Sequence, residues 1–317
     1  MLLDFHGRRI HYLRISVSNG CNLRCVYCMP KGGAASREKL LGKEEIVSIA
    51  KAAVTLGIDK IRLTGGEPLL RQDILEIARE IAGLEGLKEL CLTTNGILLK
   101  QYAKGLKDAG VNRINVSLDS LKPEKYTLLT GGGVLQKVLE GIQEAKVAGF
   151  DPIKINVVLL AGKNEDEIVD FIHFGKGLGV DIRFIEQMPI GASAKKEQQY
   201  FTPGKTVLTA YPSLVAITPG NSARLEQLYQ VPNSKGKVGL ITPMEEGFCS
   251  SCNRIRVTAD GMLKPCLHTD KEIPLLGLDQ GALQETIKTA ILEKPEKHYL
   301  QERKTSDSTR NMCEIGG

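Results

Sequence analysis

Six of the eight cysteines in this chain fall into two sets of three. The first, Cys21, Cys25 and Cys28, is a C-x3-C-x2-C run placed directly after an apolar alternating stretch, and the second, Cys249, Cys252 and Cys266, reads C-x2-C-x13-C. Grouped thiolates hold soft metals or iron–sulfur clusters, and a cubane cluster normally takes four cysteines. Three leave one iron open to bind and activate another molecule, so each triplet points to chemistry rather than electron storage. Zinc is the competing reading. It prefers paired C-x2-C units or mixed Cys/His sets, and no histidine follows the first triplet at ligand spacing, whereas the second could be completed as a zinc ribbon by His268 or Cys313. Cys91, in an apolar run, and Cys313, near the end, read as structural or incidental.

The cations suggest what such sites would act on. Lys60 and Arg62 are two apart in a strand-like segment and share one face, with Ile61 and Leu63 on the other. Arg254 and Arg256 repeat that pattern beside the second triplet, and Arg14, Lys154 and Arg183 also sit in strand-like segments, where a solvated cation is less expected than on a helix. If those faces look inward they need anions, and a nucleoside triphosphate offers many oxygens that guanidinium forks can grip bidentately. The plainer alternative is ordinary surface charge at strand ends. Gly65-Gly66-Glu67 would let a ligand approach the backbone closely, although a lone glycine pair is usually only a turn.

Positioning these groups falls to short apolar runs near 10–17, 58–64, 88–94, 112–119, 153–160 and 180–188, which predict strands. Between them, 43–57, 72–83, 98–109, 134–148 and 164–178 have helical spacing, several ending at glycine. Repeated strand–helix units imply an α/β fold with a parallel sheet, here an open, partial (β/α)6 TIM-like barrel. The polar segments 21–28, 64–67, 93–95 and 117–119 and Met188 fall at the carboxyl ends of these strands, where such barrels carry their sites. Beyond about 190 the pattern changes, with polar 194–199 and Pro232-Asn-Ser-Lys-Gly236. The expected division is 1–225, the barrel, and 226–317, a smaller C-terminal region carrying the second triplet and packed over the barrel's open side.

The composition fits a chain of 317 residues, 42% hydrophobic and 25% charged, with a net charge of +5. Such a chain can bury a large core. No dense Lys/Arg run indicates nucleic acid, no apolar run suits a membrane span, and the amino terminus lacks a signal-peptide stretch, so a cytoplasmic protein is expected. Cysteines grouped as ligands suit that reducing compartment.

The first triplet, with Tyr27 before its last cysteine, and Gly65-Gly66-Glu67-Pro68 resemble the radical S-adenosylmethionine superfamily. The second triplet, the segment Asn253-Arg254-Ile255-Arg256-Val257 and the terminal Gly316-Gly317 are similar to its molybdenum-cofactor branch, nearly end to end. This resemblance implies two [4Fe-4S] clusters, on Cys21, Cys25 and Cys28 and on Cys249, Cys252 and Cys266. It also implies S-adenosylmethionine held by Gly65, Gly66, Glu67, Thr93, Ser117 and Lys154, with Tyr27 packed beside it and Met188 near the adenine. GTP ligands would be Arg14, Lys60, Arg62, Arg183, Arg254 and Arg256, and the open iron of the second cluster would hold guanine. Arg14, Gly316 and Gly317 would support catalysis, although a chain end is by default frayed. The implied chemistry is reductive cleavage of S-adenosylmethionine to a 5'-deoxyadenosyl radical, hydrogen abstraction from C3' of GTP, and ring closure onto C8. Implied partners are GTP, a flavodoxin- or ferredoxin-type electron donor and a second copy in a homodimer, with no membrane or nucleic acid. This chain has Asn19-Gly20 where the family usually has Asp-Arg, and 190–248 looks short and divergent. The rivals are another auxiliary-cluster radical enzyme acting on a peptide or different nucleotide, which should lack the Arg254/Arg256 pair and the Gly-Gly end, and a non-catalytic iron–sulfur or zinc protein that binds nucleotides.

Overall fold

Alternation of polar and apolar residues builds the sheet at the centre of this fold. The computed structural model describes residues 2–28, 40–191, 200–217, 225–245, 248–303 and 305–316. Strands β1 (Tyr12–Ser16), β2 (Lys60–Thr64), β3 (Glu89–Thr94), β4 (Arg113–Ser117), β5 (Lys154–Leu159) and β6 (Asp181–Glu186) pair in sequence order, all parallel. Helices α1 (Lys43–Thr55), α2 (Ile74–Ala82), α3 (Leu99–Asp108), α4 (Pro123–Thr130), α5 (Leu135–Val147) and α6 (Ile168–Leu178) fill the crossovers. Local signals set their ends. Glu45 reaches back to the Gly42 amide at 2.6 Å to start α1, and Gly131 and Gly179, both left-handed, stop α4 and α6.

One face of the sheet is apolar throughout. Leu13, Ile15, Ile61, Leu63, Ile114, Val116, Ile155, Ile182 and Phe184 are buried in a core that also takes Ile46, Ile77, Leu106 and Ile142 from the helices. Each such side chain contributes about 1.5–3 kcal/mol of burial. The other face carries the residues between them, and it is polar.

The chain after 200 departs from expectation. Rather than forming a separate unit, its strands are built into the same sheet at both edges. β9 (Lys237–Ile241) lies parallel on β6, with β8 (Gln227–Gln230) and β7 (Val215–Ala216) antiparallel beyond it. β10 (Arg254–Val257) lies parallel on β1, followed outward by β11 (Met262–Lys264) and β12 (Ile273–Pro274). The parallel run therefore gains one strand on each side, because Ile255 and Val257 continue the apolar face and the edge strands supply hydrogen-bond partners that β1 and β6 otherwise lack. The segment 194–199, read as polar loop, lies outside the described residues. Among the described residues no helix is long and apolar enough to cross a membrane.

Phe184 on β6 meets Phe171 of α6 edge-on, with centroids 6.3 Å apart and both rings buried. Phe184→Ala is expected to cost about 3–5 kcal/mol. A lowered urea midpoint checks it, and a shift worth less than about 1 kcal/mol would show that this contact does not hold the sheet to its helices.

Candidate active site

Cross-strand register stacks the polar face into layers. Arg254, Tyr12, Lys60 and Glu89 share one, and Arg256, Arg14, Arg62, Cys91 and Arg113 the next. Above them come Ser16 with Thr64, then Thr93, Asn115, Lys154 and Asp181, and finally Ser117, Asn156, Arg183 and Gly239. A parallel barrel usually fills its interior with branched aliphatic side chains. Here Arg14, Arg62 and Arg256 are 9%, 4% and 7% exposed, so their charges are largely removed from water.

Tyr12, which the sequence did not single out, is the hub of this cluster. Its hydroxyl accepts from Arg62 Nε at 2.5 Å and Arg14 Nη1 at 3.5 Å, while Lys60 and Arg254 stand 5.2 and 5.3 Å from its ring centroid. Burial alone would push the phenol up, but Arg62, Arg14 and Arg254 outweigh it and bring Tyr12 down to about 7. Burial brings Arg14 down to about 10 and, with Arg14 and Arg254 as neighbours, holds Arg256 well below the usual guanidinium range. The crowding calls for anions. Lys60 is matched by Glu89 at 2.5 Å, and Glu89 also faces Arg113 at 3.1 Å. Across the barrel Glu226, another residue the sequence did not reveal, grips Arg183 at 2.8 and 3.1 Å and lies 3.4 Å from Lys154, which is 3.6 Å from Asp181. Burial opposes ionisation of Glu226, yet Arg183 and Lys154 hold its carboxyl at about 2.

The first triplet caps the carboxyl ends of the strands. After β1 and β2 the two loops run against each other, with Gly66 N donating to Ser18 O and Glu67 N to Gly20 O, both at 2.7 Å. A Cβ at Gly66 would lie 2.3 Å from Gly20 O, and Gly65 has φ +152 with its Cβ position 2.3 Å from Ser18 O. The glycine pair thus serves approach of the cysteine loop itself, and Asn19-Gly20 fits within that pairing. Glu67 is buried, accepts from Thr94 Oγ1 and Asn95 N at 2.7 Å and Leu69 N at 3.1 Å, and is pushed by burial up to about 7. Asn95 Nδ2 lies 3.8 Å from Cys21 Sγ. Cys28 N closes a turn on Cys25 O at 3.0 Å, and the Tyr27 hydroxyl donates to Asp119 at 2.7 Å. Cys28 and Cys313 lie side by side, close enough to perturb each other's thiols. Cys313 is therefore not incidental, and it stands with the first triplet rather than completing the second. Thr93 Oγ1 accepts from Arg62 Nη1 at 3.1 Å, while Ser117 ends β4 and Met188 follows β6 at the same end of the barrel.

The second triplet sits at the opposite end. Asn253, next to Cys252, accepts at its carbonyl from the His11 and Tyr12 amides at 3.1 and 3.2 Å, just where β1 begins. Cys252 N donates to Cys249 O at 3.0 Å, repeating the turn of the first loop. Arg8 fastens this loop, donating to Cys249 O at 3.0 Å and Glu296 O at 2.7 Å while paired with Asp4. His268 N stands 3.5 Å from Cys266 Sγ, and its ring lies 4.5 Å from that of His298. Burial raises Cys249, whereas Lys294, Arg254 and Arg8 outweigh burial at Cys252 and lower it.

The chain end is ordered as far as it is described. Helix Met312–Ile315 leads to Gly316, whose carbonyl accepts from Arg256 Nη1 at 2.8 Å and Arg14 Nη2 at 3.2 Å. Gly316 has φ +74, and a Cβ there would lie 2.4 Å from Ser16 Oγ. Gly317 lies outside the described residues. Arg310 anchors the approach, paired with Asp260 at 2.9 and 3.0 Å and with Glu272 at 2.5 and 2.6 Å.

Each triplet offers thiols alone, the donor set an iron–sulfur cluster takes. Among the described residues no three His, Cys, Asp or Glu side chains close on a single ion, and a cubane does not need them to, because it spreads its thiolates over separate irons.

Comparison with known proteins agrees with this geometry. Residues 15–175 match the radical SAM superfamily and 180–300 the family described as Molybdenum Cofactor Synthesis C. The chain is 46% identical to the GTP 3',8-cyclase of Alkaliphilus oremlandii, covering 99% of both chains. It is 47% identical to that of Peptoclostridium acidaminophilum, covering 100% of this chain and 98% of the relative. Among solved structures, Streptococcus suis SuiB bound to S-adenosylmethionine matches with a TM-score of 0.61 at 17% identity, covering 97% of this chain and 78% of that one, which shows a shared fold.

Two outcomes are expected from these contacts. Tyr12 should show phenolate absorbance in the wild type minus Tyr12→Phe difference spectrum with a midpoint near pH 7, while most tyrosines ionise near 10. Because its folded value is depressed, its stabilisation is full above 10 and is lost as pH falls through about 7. A midpoint near 10 would mean that the guanidiniums are already neutralised. Arg310→Ala should release the tail, seen as faster carboxypeptidase trimming together with loss of most turnover, and unchanged trimming would show that the anchor is elsewhere.

Proposed function

Because the chain belongs to the GTP 3',8-cyclase family of radical S-adenosylmethionine enzymes, we propose that GTP lies along the barrel interior, its base toward the second triplet and its ribose toward the first. The enzyme converts GTP to 3',8-cyclo-7,8-dihydroguanosine 5'-triphosphate, the first step of molybdenum-cofactor biosynthesis, and uses two [4Fe-4S] clusters with S-adenosylmethionine. What S-adenosylmethionine supplies at the first cluster is a carbon radical able to take hydrogen from an unreactive C–H bond. The rest is the work of the chain.

In this reading Cys21, Cys25 and Cys28 ligate one cluster and Cys249, Cys252 and Cys266 the other. Arg14, Lys60, Arg62, Arg183, Arg254 and Arg256 bind the nucleotide, and their burial makes each contact stronger than it would be in water. Gly65, Gly66, Glu67, Thr93, Ser117, Lys154 and Met188 surround S-adenosylmethionine, with Tyr27 held against it through Asp119. The Gly316 carbonyl fixes the heads of Arg14 and Arg256, and Gly316 and Gly317 together support catalysis. Residues 1–225 form the radical-generating unit and 226–317 the unit that carries the second cluster. The reductive step draws on a flavodoxin- or ferredoxin-type donor, and the working form is a cytoplasmic homodimer. The observation that supports this reading most strongly is the pair of thiol triplets at opposite ends of one strand with buried guanidiniums between them.

The test is an anaerobic assay of the reconstituted protein with dithionite, S-adenosylmethionine and each nucleoside triphosphate, with 5'-deoxyadenosine and cyclised nucleotide read by mass spectrometry. Cyclised product is expected with GTP alone. Cys252→Ala should still form 5'-deoxyadenosine while losing cyclised product, and residues appended after Gly317 should also suppress cyclisation. Cyclisation that survives loss of Cys252 would remove the base-holding role from the second triplet.

A further inference from the structure

The interior cations are not all left waiting for substrate. Glu226 takes both donors of the Arg183 fork, at 2.8 and 3.1 Å, and stands within 3.5 Å of Lys154, in a pocket where all three side chains are largely buried. It does not come from a lining strand. It directly precedes β8, the strand between β9 and β7, and reaches inward across β9 at Gly239. Gly239 is the register partner of Arg183, and a Cβ there would lie 2.2 Å from Glu226 Oε1. The sheet leaves out a side chain at the one place this carboxylate passes.

Asp181, the other carboxylate beside Lys154, is fixed on β6, whereas Glu226 can leave without unpairing a lining strand. Its two oxygens present the same geometry to Arg183 as two oxygens of a phosphate. One guanidinium fork cannot hold both anions at once.

We propose that Glu226 is a built-in counter-anion that occupies the Arg183–Lys154 site until the triphosphate of the substrate displaces it, so that it sets how strongly an incoming nucleotide must compete to enter. This rests on the reading that the barrel interior takes a nucleoside triphosphate. Before substrate arrives, Glu226 keeps two buried cations neutralised and discourages stray small anions. A triphosphate, anchored also at the opposite arginines, has the charge to replace it.

The test is equilibrium binding of GTP, inorganic tripolyphosphate and S-adenosylmethionine to the reconstituted protein by calorimetry. Glu226→Gln should bind GTP and tripolyphosphate about tenfold more tightly, with a smaller change for S-adenosylmethionine, which lies beside Lys154 but not Arg183. In turnover the same variant should lower KM for GTP without raising kcat, a split that general loss of packing would not produce. Gly239→Ala provides a second route, since its Cβ would displace the flexible carboxylate while leaving its charge in the chain, and tighter tripolyphosphate binding is again expected. Unchanged or weaker GTP binding in both variants overturns the proposal, as does a change confined to S-adenosylmethionine. If the wild type binds neither GTP nor tripolyphosphate, the triphosphate reading itself fails and this inference falls with it.

Discussion

Like charges held inside a parallel barrel are the constraint around which the rest of this structure is arranged. Removing a guanidinium from water costs several kcal/mol unless partners replace the lost solvent, and Arg14, Arg62 and Arg256 share one layer of the interior. The chain offsets that cost locally with the readily ionised Tyr12 hydroxyl and with two dipoles, the Thr93 hydroxyl and the Gly316 carbonyl. An interior prepared in this way binds an anion strongly because its donors are already oriented and already dry. The apolar outer face makes it possible. A continuous aliphatic core between sheet and helices can carry an unfavourable interior that a smaller domain could not.

Guanidinium groups serve two separate purposes here. Those on β1, β2 and β10 face the interior, whereas Arg8 and Arg310 bind carbonyls and carboxylates of the chain itself. The fork geometry suits both, since one planar head can fasten several segments at once. Arg8 joins the amino-terminal turn to the second cysteine loop, and Arg310 joins the tail to the β10–β12 edge. The second cysteine loop and the tail are thus each fastened by one multidentate arginine.

The strand–helix alternation through residue 186 was legible because its period is strict. Leu13, Ile15, Ile61 and Leu63 alternate with Arg14, Arg62 and Lys60, and the expected bounds fall within a few residues of those found. The cysteine triplets were legible because ligand spacing is local. What lay hidden depends on distant partners. Strands β9 and β10 are short, and their place in the sheet is fixed only by the free edges of β6 and β1. Tyr12 looks like any strand tyrosine until four cations gather around it, and Glu226 looks like a surface acid until Gly239 opens a path beneath it. The partnership of Cys28 with Cys313 joins residues from nearly opposite ends of the chain, which no local pattern encodes. Gly65-Gly66 was recognised, but the backbone they approach was not.

Strand β1 leads into the first cysteine loop at one end and is bonded to the second at the other, so it works as a ruler between the two cysteine triplets. Its five residues span about 17 Å at roughly 3.3 Å per residue. No side-chain replacement along β1 can alter that distance, because hydrogen bonds to β2 and β10 hold the strand on both sides. Lengthening it by one residue would also reverse which side chains face inward, exchanging Arg14 for an aliphatic neighbour. The separation of the two cysteine loops is thus written into a backbone that can change only by losing its lining.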